Sequence, residues 1–196
     1  ISGKLLDFGC GSKPYKSFFK VDEYIGLDTY NSGHSHENEN IDVLYDGKKI
    51  PFDDNTFDYI FSSEVLEHVF NINDTMLELN RVLKTNGKML ITLPFIWGEH
   101  EQPHDFARYT SFGLKSILEK NGFEILQQVK TTTFIETVFQ NLTAYLYHTA
   151  VPKGLRTVLT LILIAPLNLL GIFFGKILPN DKTHYLNNIM LCVKKF

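Results

Sequence analysis

The sequence is poor in every feature that would mark a chain held by cross-links or committed to a polyanion. Its two cysteines, Cys10 and Cys192, stand far apart without metal-ligand spacing, which argues against a disulfide framework and suits a reducing cytoplasm. Both read as small buried side chains. Lysine and arginine number 19 against 22 acids, a formal charge of -3, so no basic face or tail is expected and nucleic acid is disfavoured as a partner. There is no internal repeat, no low-complexity linker and no signal peptide. The chain opens on Ile1 without an initiator methionine, so residues are expected to precede it in the natural protein.

What is present is enough for a core. A length of 196 residues with a 44% hydrophobic share favours one domain, residues 1–196, with a helical apolar insert at 134–184. Strand-like runs recur at Lys4–Phe8, Tyr24–Leu27, Asp42–Tyr45, Phe57–Ser62 and Gly87–Leu93 with helical or loop segments between them. That alternation predicts a parallel sheet covered by helices. Between the last two runs, Asn73 and Asp74 are expected to cap a helix whose Met76, Leu77, Leu79, Val82 and Leu83 share a face, and Thr85–Gly87 to end it. "TSFGLKSILEKNGFEIL" repeats the plan: Thr110 or Ser111 caps, Leu114, Ile117 and Leu118 pack inward, Gly122 terminates, and Phe123 opens a strand. The end, "YLNNIMLCVKKF", reads as a final strand, and residues 31–40 as a polar surface loop.

The segment "LLDFGCGSKPY", residues 5–15, sets two glycines behind a buried strand. Gly9 and Gly11 allow a tight turn that brings bare backbone against a ligand at the carboxyl end of the sheet. A dinucleotide fingerprint would want a third glycine where Pro14 stands, so a nicotinamide-dependent oxidoreductase is the weaker reading. Asp28, ending "YIGLD", is suited to accept two ribose hydroxyls, each such bond to a carboxylate contributing about 1.5–3 kcal/mol.

DFGCG, the acid Asp28, D-x-x-x-x-P-F from Asp46 and S-x-E-V-L-E-H from Ser62 follow one another in the order of the class I S-adenosylmethionine-dependent methyltransferases, and the chain resembles that family, in particular its small-molecule group. The resemblance covers roughly residues 4–130. It implies an α/β, Rossmann-like sheet of seven mostly parallel strands with helices on both faces and a C-terminal antiparallel strand after the apolar insert. It implies S-adenosylmethionine as cofactor, with Asp7, Gly9, Cys10 and Gly11 against the methionine part, Asp28 on the ribose, Asp46 and Gly47 at the adenine and Glu64 in the cleft. His68 is expected to be a hydrogen-bonded packing residue.

Methyl transfer from a sulfonium needs chiefly a nucleophile held in line, and a hydroxyl nucleophile also profits from a base. "PFIWGEHEQPHDFARYTSFGL", residues 94–114, concentrates the groups for that. It resembles an H-x-x-P-x-D-x-x-R-Y/F-T segment of bacterial methyltransferases associated with cell-surface polysaccharides. His104 is the first candidate base and His100 the second; Asp105 orients an imidazole or a substrate hydroxyl, and Arg108 with Tyr109 positions an anionic or sugar group. Equally open is that Asp105 and Arg108 pair with each other and serve architecture only. A metal site of His100, His104 and Asp105 is conceivable but not expected, for want of a further ligand.

"TVLTLILIAPLNLLGIFFG", residues 157–175, is uncharged and long enough to span a bilayer by hydropathy. A single crossing would strand the final strand on the wrong side, and Pro166 with Asn168 interrupts the run, so a bent helical pair is expected. It covers the sheet, packs against a second copy, touches an anionic membrane with residues 155–178, or walls the substrate site; covering or dimer packing is preferred. The expected activity is methylation of a small, sugar or lipid-linked acceptor at oxygen, in the cytoplasm or at the inner membrane face. The remaining alternative is a cofactor-binding module without turnover.

Overall fold

The computed structural model describes residues 2–30 and 39–195, so most of the expected polar loop at 31–40 lies outside the described residues. Seven strands form one sheet: β1 Lys4–Phe8, β2 Glu23–Thr29, β3 Val43–Tyr45, β4 Phe57–Ser63, β5 Leu83–Pro94, β6 Phe123–Lys130 and β7 Asn187–Lys194, in the order β3-β2-β1-β4-β5-β7-β6. The pairings of β1 with β2 and β4, β2 with β3, and β4 with β5 are all parallel. The C-terminal strand runs antiparallel, as the resemblance implies. Leu5, Leu6, Asp7 and Phe8 of β1 are buried in succession, the pattern of a central parallel strand covered on both faces. Strand order reverses between β1 and β4, which opens a crevice at their carboxyl ends.

Helix α1, Ile72–Val82, buries Ile72, Met76, Leu79 and Val82. Its N-cap is Asn71, without a side-chain bond, rather than Asn73 or Asp74, which fall inside the helix. The stop also differs from expectation. The chain passes from Val82 straight into β5, where Leu83 pairs with Phe57; a register shift follows and pairing resumes between Lys88 and Tyr59. Thr85–Gly87 therefore makes an irregularity within β5 rather than the helix end, with Asn86 in the left-handed region at φ 65°. Helix α2, Ser111–Lys120, starts as expected: the Thr110 hydroxyl accepts from Gly113 N–H, and Gly122 follows the end at φ +85°.

Arg81 ties α1 to the loop before β4. Its guanidinium donates to Glu78, to Asp54 and to the carbonyls of Ile50 and Phe52, while Glu78 accepts the Ile50 N–H. On β7 the buried Lys194 ammonium donates to the Asn80 and Leu83 carbonyls and to Asn55 Oδ1, closing the end of α1; burial holds its pKa below the ordinary value.

The chain forms two compact units, the first Ile1–Pro94, Gly98–Val129 and Asn188–Phe196, the second Phe95–Trp97 and Lys130–Asn187. The second contains α3, Phe134–Tyr145, opened by a capping box in which Thr133 and Glu136 bond reciprocally. Then come α4, Arg156–Leu159, and α5, Ala165–Ile177, joined through a π-turn at Thr160–Ile164. Together, from Lys153 to Ile177, they form one helical run of 25 residues, which corrects the expected bent pair. Pro166 cannot donate an N–H and crowds the preceding turn; the wider π-turn just before it absorbs that strain without breaking the helix. Asn168 does not interrupt either: its Oδ1 accepts from the buried Thr143 hydroxyl of α3 at 2.8 Å. Gly171 lets α5 approach Phe139 so closely that a Cβ there would lie 2.6 Å from the Phe139 Cβ. Of the most apolar window of this segment, 11% is buried.

Candidate active site

The turn after β1 is held by backbone bonds to β2. Gly9 and Cys10 N–H groups both donate to the Leu27 carbonyl, and Gly11 N–H donates to Asp28 Oδ2 at 2.8 Å. Asp28 Oδ1 accepts from Thr29 N–H at 2.8 Å. Each oxygen of this carboxylate keeps a lone pair for a ligand. Gly9, at φ +73°, is pressed against Val65, whose Cγ2 would lie 2.3 Å from any Cβ, so no side chain fits on this floor.

A cavity of about 550 Å³ lies at the switch point. Gly9, Gly11, Asp28, Asp46, Gly47 and Glu64 all line it, so the structure brings six of the expected cofactor residues together. Asp46 Oδ1 accepts the Lys48 N–H, an Asx turn that presents Gly47 at φ +79°. Glu64 follows β4 in the left-handed region at φ 55°, an uncommon conformation for a side chain of its size; its carboxylate accepts from the Thr92 hydroxyl at 2.6 Å and its N–H donates to the Thr92 carbonyl.

Two expected cofactor residues lie behind that wall. Asp7 is buried, does not line the cavity and accepts a short hydrogen bond from the Tyr24 hydroxyl; burial pushes its carboxyl up to about 6, against that bond. Cys10 is likewise buried off the cavity, its thiol 3.6 Å from the Gly11 carbonyl and pushed up to about 12 by burial.

The expected catalytic residues divide. His104 lines the cavity with His68 and Glu101. Asp105, Arg108, His100 and Tyr109 do not. Arg108 grips both oxygens of Asp105, at 2.5 and 2.7 Å, and His100 N–H adds a bond to the same carboxylate at 2.9 Å. The guanidinium holds the Asp105 carboxyl well below the usual carboxylate range. The pair expected on architectural grounds therefore forms, and Asp105 also faces an imidazole, its Oδ2 lying 3.3 Å from His100 Nδ1. Tyr109 packs on the core, and its carbonyl accepts from Asn188.

Glu67, part of S-x-E-V-L-E-H, is the residue to which reading the sequence assigns no role. It sits in the short turn Leu66–His68, its carbonyl accepts the N–H groups of Phe106 and Ala107, and its carboxyl is fully buried. Burial, reinforced by the nearby Glu64 charge, pushes that carboxyl up to about 8. The signal was present in "LEH", an acid beside an imidazole, but nothing in the spacing says that His100 joins them across the fold.

Residues 6–91 match a family described as a methyltransferase domain. The chain is 31% identical over 111 residues to phosphoethanolamine N-methyltransferase 2 of Caenorhabditis elegans, covering 55% of this chain and 25% of that protein. The chain thus spans about a quarter of that curated relative's length. Among solved structures, phosphoethanolamine N-methyltransferase 2 of Haemonchus contortus in complex with S-adenosyl-L-methionine has a TM-score of 0.59 at 18% identity, over 100% of this chain and 49% of that one. The cyclase SpnF has a TM-score of 0.59 at 19% identity, over 99% and 75%. These two show the fold, which evidently serves more than one reaction.

Sheet order and glycine turn are those of the class I S-adenosylmethionine-dependent methyltransferase fold, and the methyltransferase-domain match spans residues 6–91 of the chain. The class takes S-adenosylmethionine as cofactor, and the cavity fits it. A side-chain-free floor admits the ligand's backbone-like methionine part, Asp28 offers paired acceptors to a ribose, and the lining acids Asp28, Asp46, Glu64, Asp74 and Glu101 outnumber Lys48 in a site for a cationic ligand.

Proposed function

We propose that the chain binds S-adenosylmethionine against Gly9–Gly11 and Asp28 and transfers its methyl group to a small acceptor, at oxygen, of the sugar or lipid-linked kind. The observation that carries this reading is the cavity itself, whose lining combines the cofactor acids with His68, Glu101 and His104. The cofactor supplies an activated methyl group. The chain's part is positioning: Asp28 and the glycine floor hold one reactant, while the His104 imidazole and the Glu101 carboxylate offer hydrogen bonds to an acceptor hydroxyl. Asp105 and Arg108 act behind that wall, fixing the loop that carries His104.

The test is transfer of a labelled methyl group from S-adenosylmethionine into cell extracts, with identification of the product, alongside calorimetric titration with S-adenosylhomocysteine. Micromolar binding and a labelled O-methyl product support the proposal. Binding without turnover in any extract would make the chain a cofactor-binding interaction module, and a labelled amine would overturn the oxygen assignment.

A second reading concerns place. Leu161, Ile162, Leu169, Ile172, Phe173 and Ile177 are exposed, no acid occurs from Thr137 to Asn180, and Lys153, Arg156 and Lys176 flank the run. We propose that this helix lies on an anionic bilayer on the cytoplasmic side, where lipid-linked acceptors are found. Co-sedimentation with anionic but not zwitterionic vesicles supports this; a lipid-free dimer that buries the helix overturns it.

A further inference from the structure

Glu67 presents an unusual problem of solvation. Both of its carboxylate oxygens are buried and neither has a hydrogen-bond partner among the described residues, a situation that costs several kcal/mol unless another charge compensates. What faces the carboxylate is a pair of imidazole nitrogens. His68 Nε2 lies 3.7 Å and His100 Nε2 3.9 Å from Glu67 Oε1, too long for hydrogen bonds, and the three candidate ligand atoms lie within 4.8 Å of one another.

The opposite nitrogen of each ring is engaged. His68 Nδ1 lies 2.8 Å from the His104 carbonyl, which can only accept, so Nδ1 donates there and Nε2 is the nitrogen facing Glu67. His100 Nδ1 lies 3.2 Å from the Gly98 carbonyl, 3.3 Å from the Asp105 carboxylate and 3.4 Å from the Arg108 guanidinium, so its Nδ1 is engaged and Nε2 is the nitrogen facing Glu67. Two imidazole nitrogens and a carboxylate oxygen thus converge on one point. A cation resolves that arrangement.

We propose that Glu67, His68 and His100 bind one divalent transition-metal ion of the zinc class, through the carboxylate and the two Nε2 atoms. Ligand atoms at about 2.0–2.2 Å around a tetrahedral ion lie roughly 3.4 Å apart, so side-chain rotations of modest size complete the site. Two nitrogens and one oxygen favour zinc and its neighbours over magnesium or calcium. The outer shell is in place: the Asp105 carboxylate, itself clamped by Arg108, stands behind His100, and the His104 carbonyl stands behind His68. His68 also lines the cavity, with Glu101 Oε2 4.0 Å from its Nε2, so the site borders the cavity. The site stands on these contacts alone and does not depend on methyl transfer.

The test uses the full chain, stripped with a chelator and titrated with zinc against a chromophoric competitor, with thermal unfolding followed in parallel. The expected result is one zinc per chain and a raised midpoint of unfolding. Affinity should fall at least tenfold in H68A and in H100A and several-fold in D105N, and stay unchanged in H148A; millimolar magnesium should not compete. E67Q should lose binding as well. Because it is buried and its variant can misfold, the partly exposed His100 gives the independent measurement, with circular dichroism checking its fold. Absence of stoichiometric zinc in the unaltered chain, equal affinity in H100A, or displacement by magnesium overturns the proposal.

Discussion

The Asp28 carboxylate accepts the N–H of Gly11, 17 residues away in sequence, at 2.8 Å. One side chain thereby shapes the glycine turn and offers its remaining lone pairs to whatever that turn holds. Removing it should do two kinds of damage. In D28A, affinity for S-adenosylhomocysteine should fall about 100-fold or more, since bonds to a carboxylate contribute about 1.5–3 kcal/mol each, while D28N, which keeps one acceptor oxygen, should lose about tenfold. Calorimetric titration reads both.

Gly9 and Val65 form a second coupled pair. A Cβ at residue 9 would lie 2.3 Å from Val65 Cγ2, and the φ of +73° disfavours any side chain. G9A should lower stability by roughly 2–3 kcal/mol in urea unfolding. Adding V65A should recover the steric part but not the backbone part, so the double variant should remain less stable than V65A alone.

Asp7 should leave a pH signature. Its carboxyl stands at about 6 in the folded chain against an ordinary 3.8, chiefly through burial. The folded state therefore holds this proton more tightly than the unfolded state. The stability it contributes is fully present below about 3.8 and is lost as pH rises through 6, a change of order 3 kcal/mol at the upper limit. D7N, whose amide oxygen still accepts from Tyr24, should remove that dependence. The difference in unfolding free energy between D7N and the unaltered chain should shift in favour of D7N from pH 4 to pH 8.

Arg81 is bound to the loop at 50–54 by two carbonyls and an acid, and to Glu78 by two further bonds. R81A leaves those acceptors unpaired and should cost about 2–4 kcal/mol, read as a lower urea midpoint without change in slope. Ligand affinity, corrected for the unfolded fraction, should change little.

His104 and Arg108 separate the cavity wall from its support. H104A should reduce turnover of a hydroxyl acceptor by about 100-fold at unchanged S-adenosylhomocysteine affinity. R108A should also lower the midpoint of thermal unfolding, because it frees the buried Asp105 carboxylate.

The first half of the chain was legible because its information is local. Strand periods, the glycine pair and the acid ending β2 depend on neighbours a few residues apart, and each falls where expected. Helix α1 shows the limit: Asn73 and Asp74 look like caps, yet the helix begins ahead of them because Ile72 and Met76 gain more by burial in the core than a side-chain cap would add. Thr85–Gly87 looks like a helix stop, yet pairing of Leu83 with Phe57 draws the strand in ahead of it.

By itself the sequence determined the α/β alternation, the nucleotide-type turn and the chemical richness of residues 94–114, since all three follow from residue type and spacing. Only the tertiary structure decided that Asp7 and Cys10 stand behind the cavity, that Asp105 is spent on Arg108 and His100, and that Glu67 meets imidazoles from positions 68 and 100. Asp7 meets Tyr24 from 17 residues away, and Glu67 meets His100 from a separate segment of the chain. Burial and ion pairing act through space, and no local pattern encodes which distant side chain will fill a desolvated position.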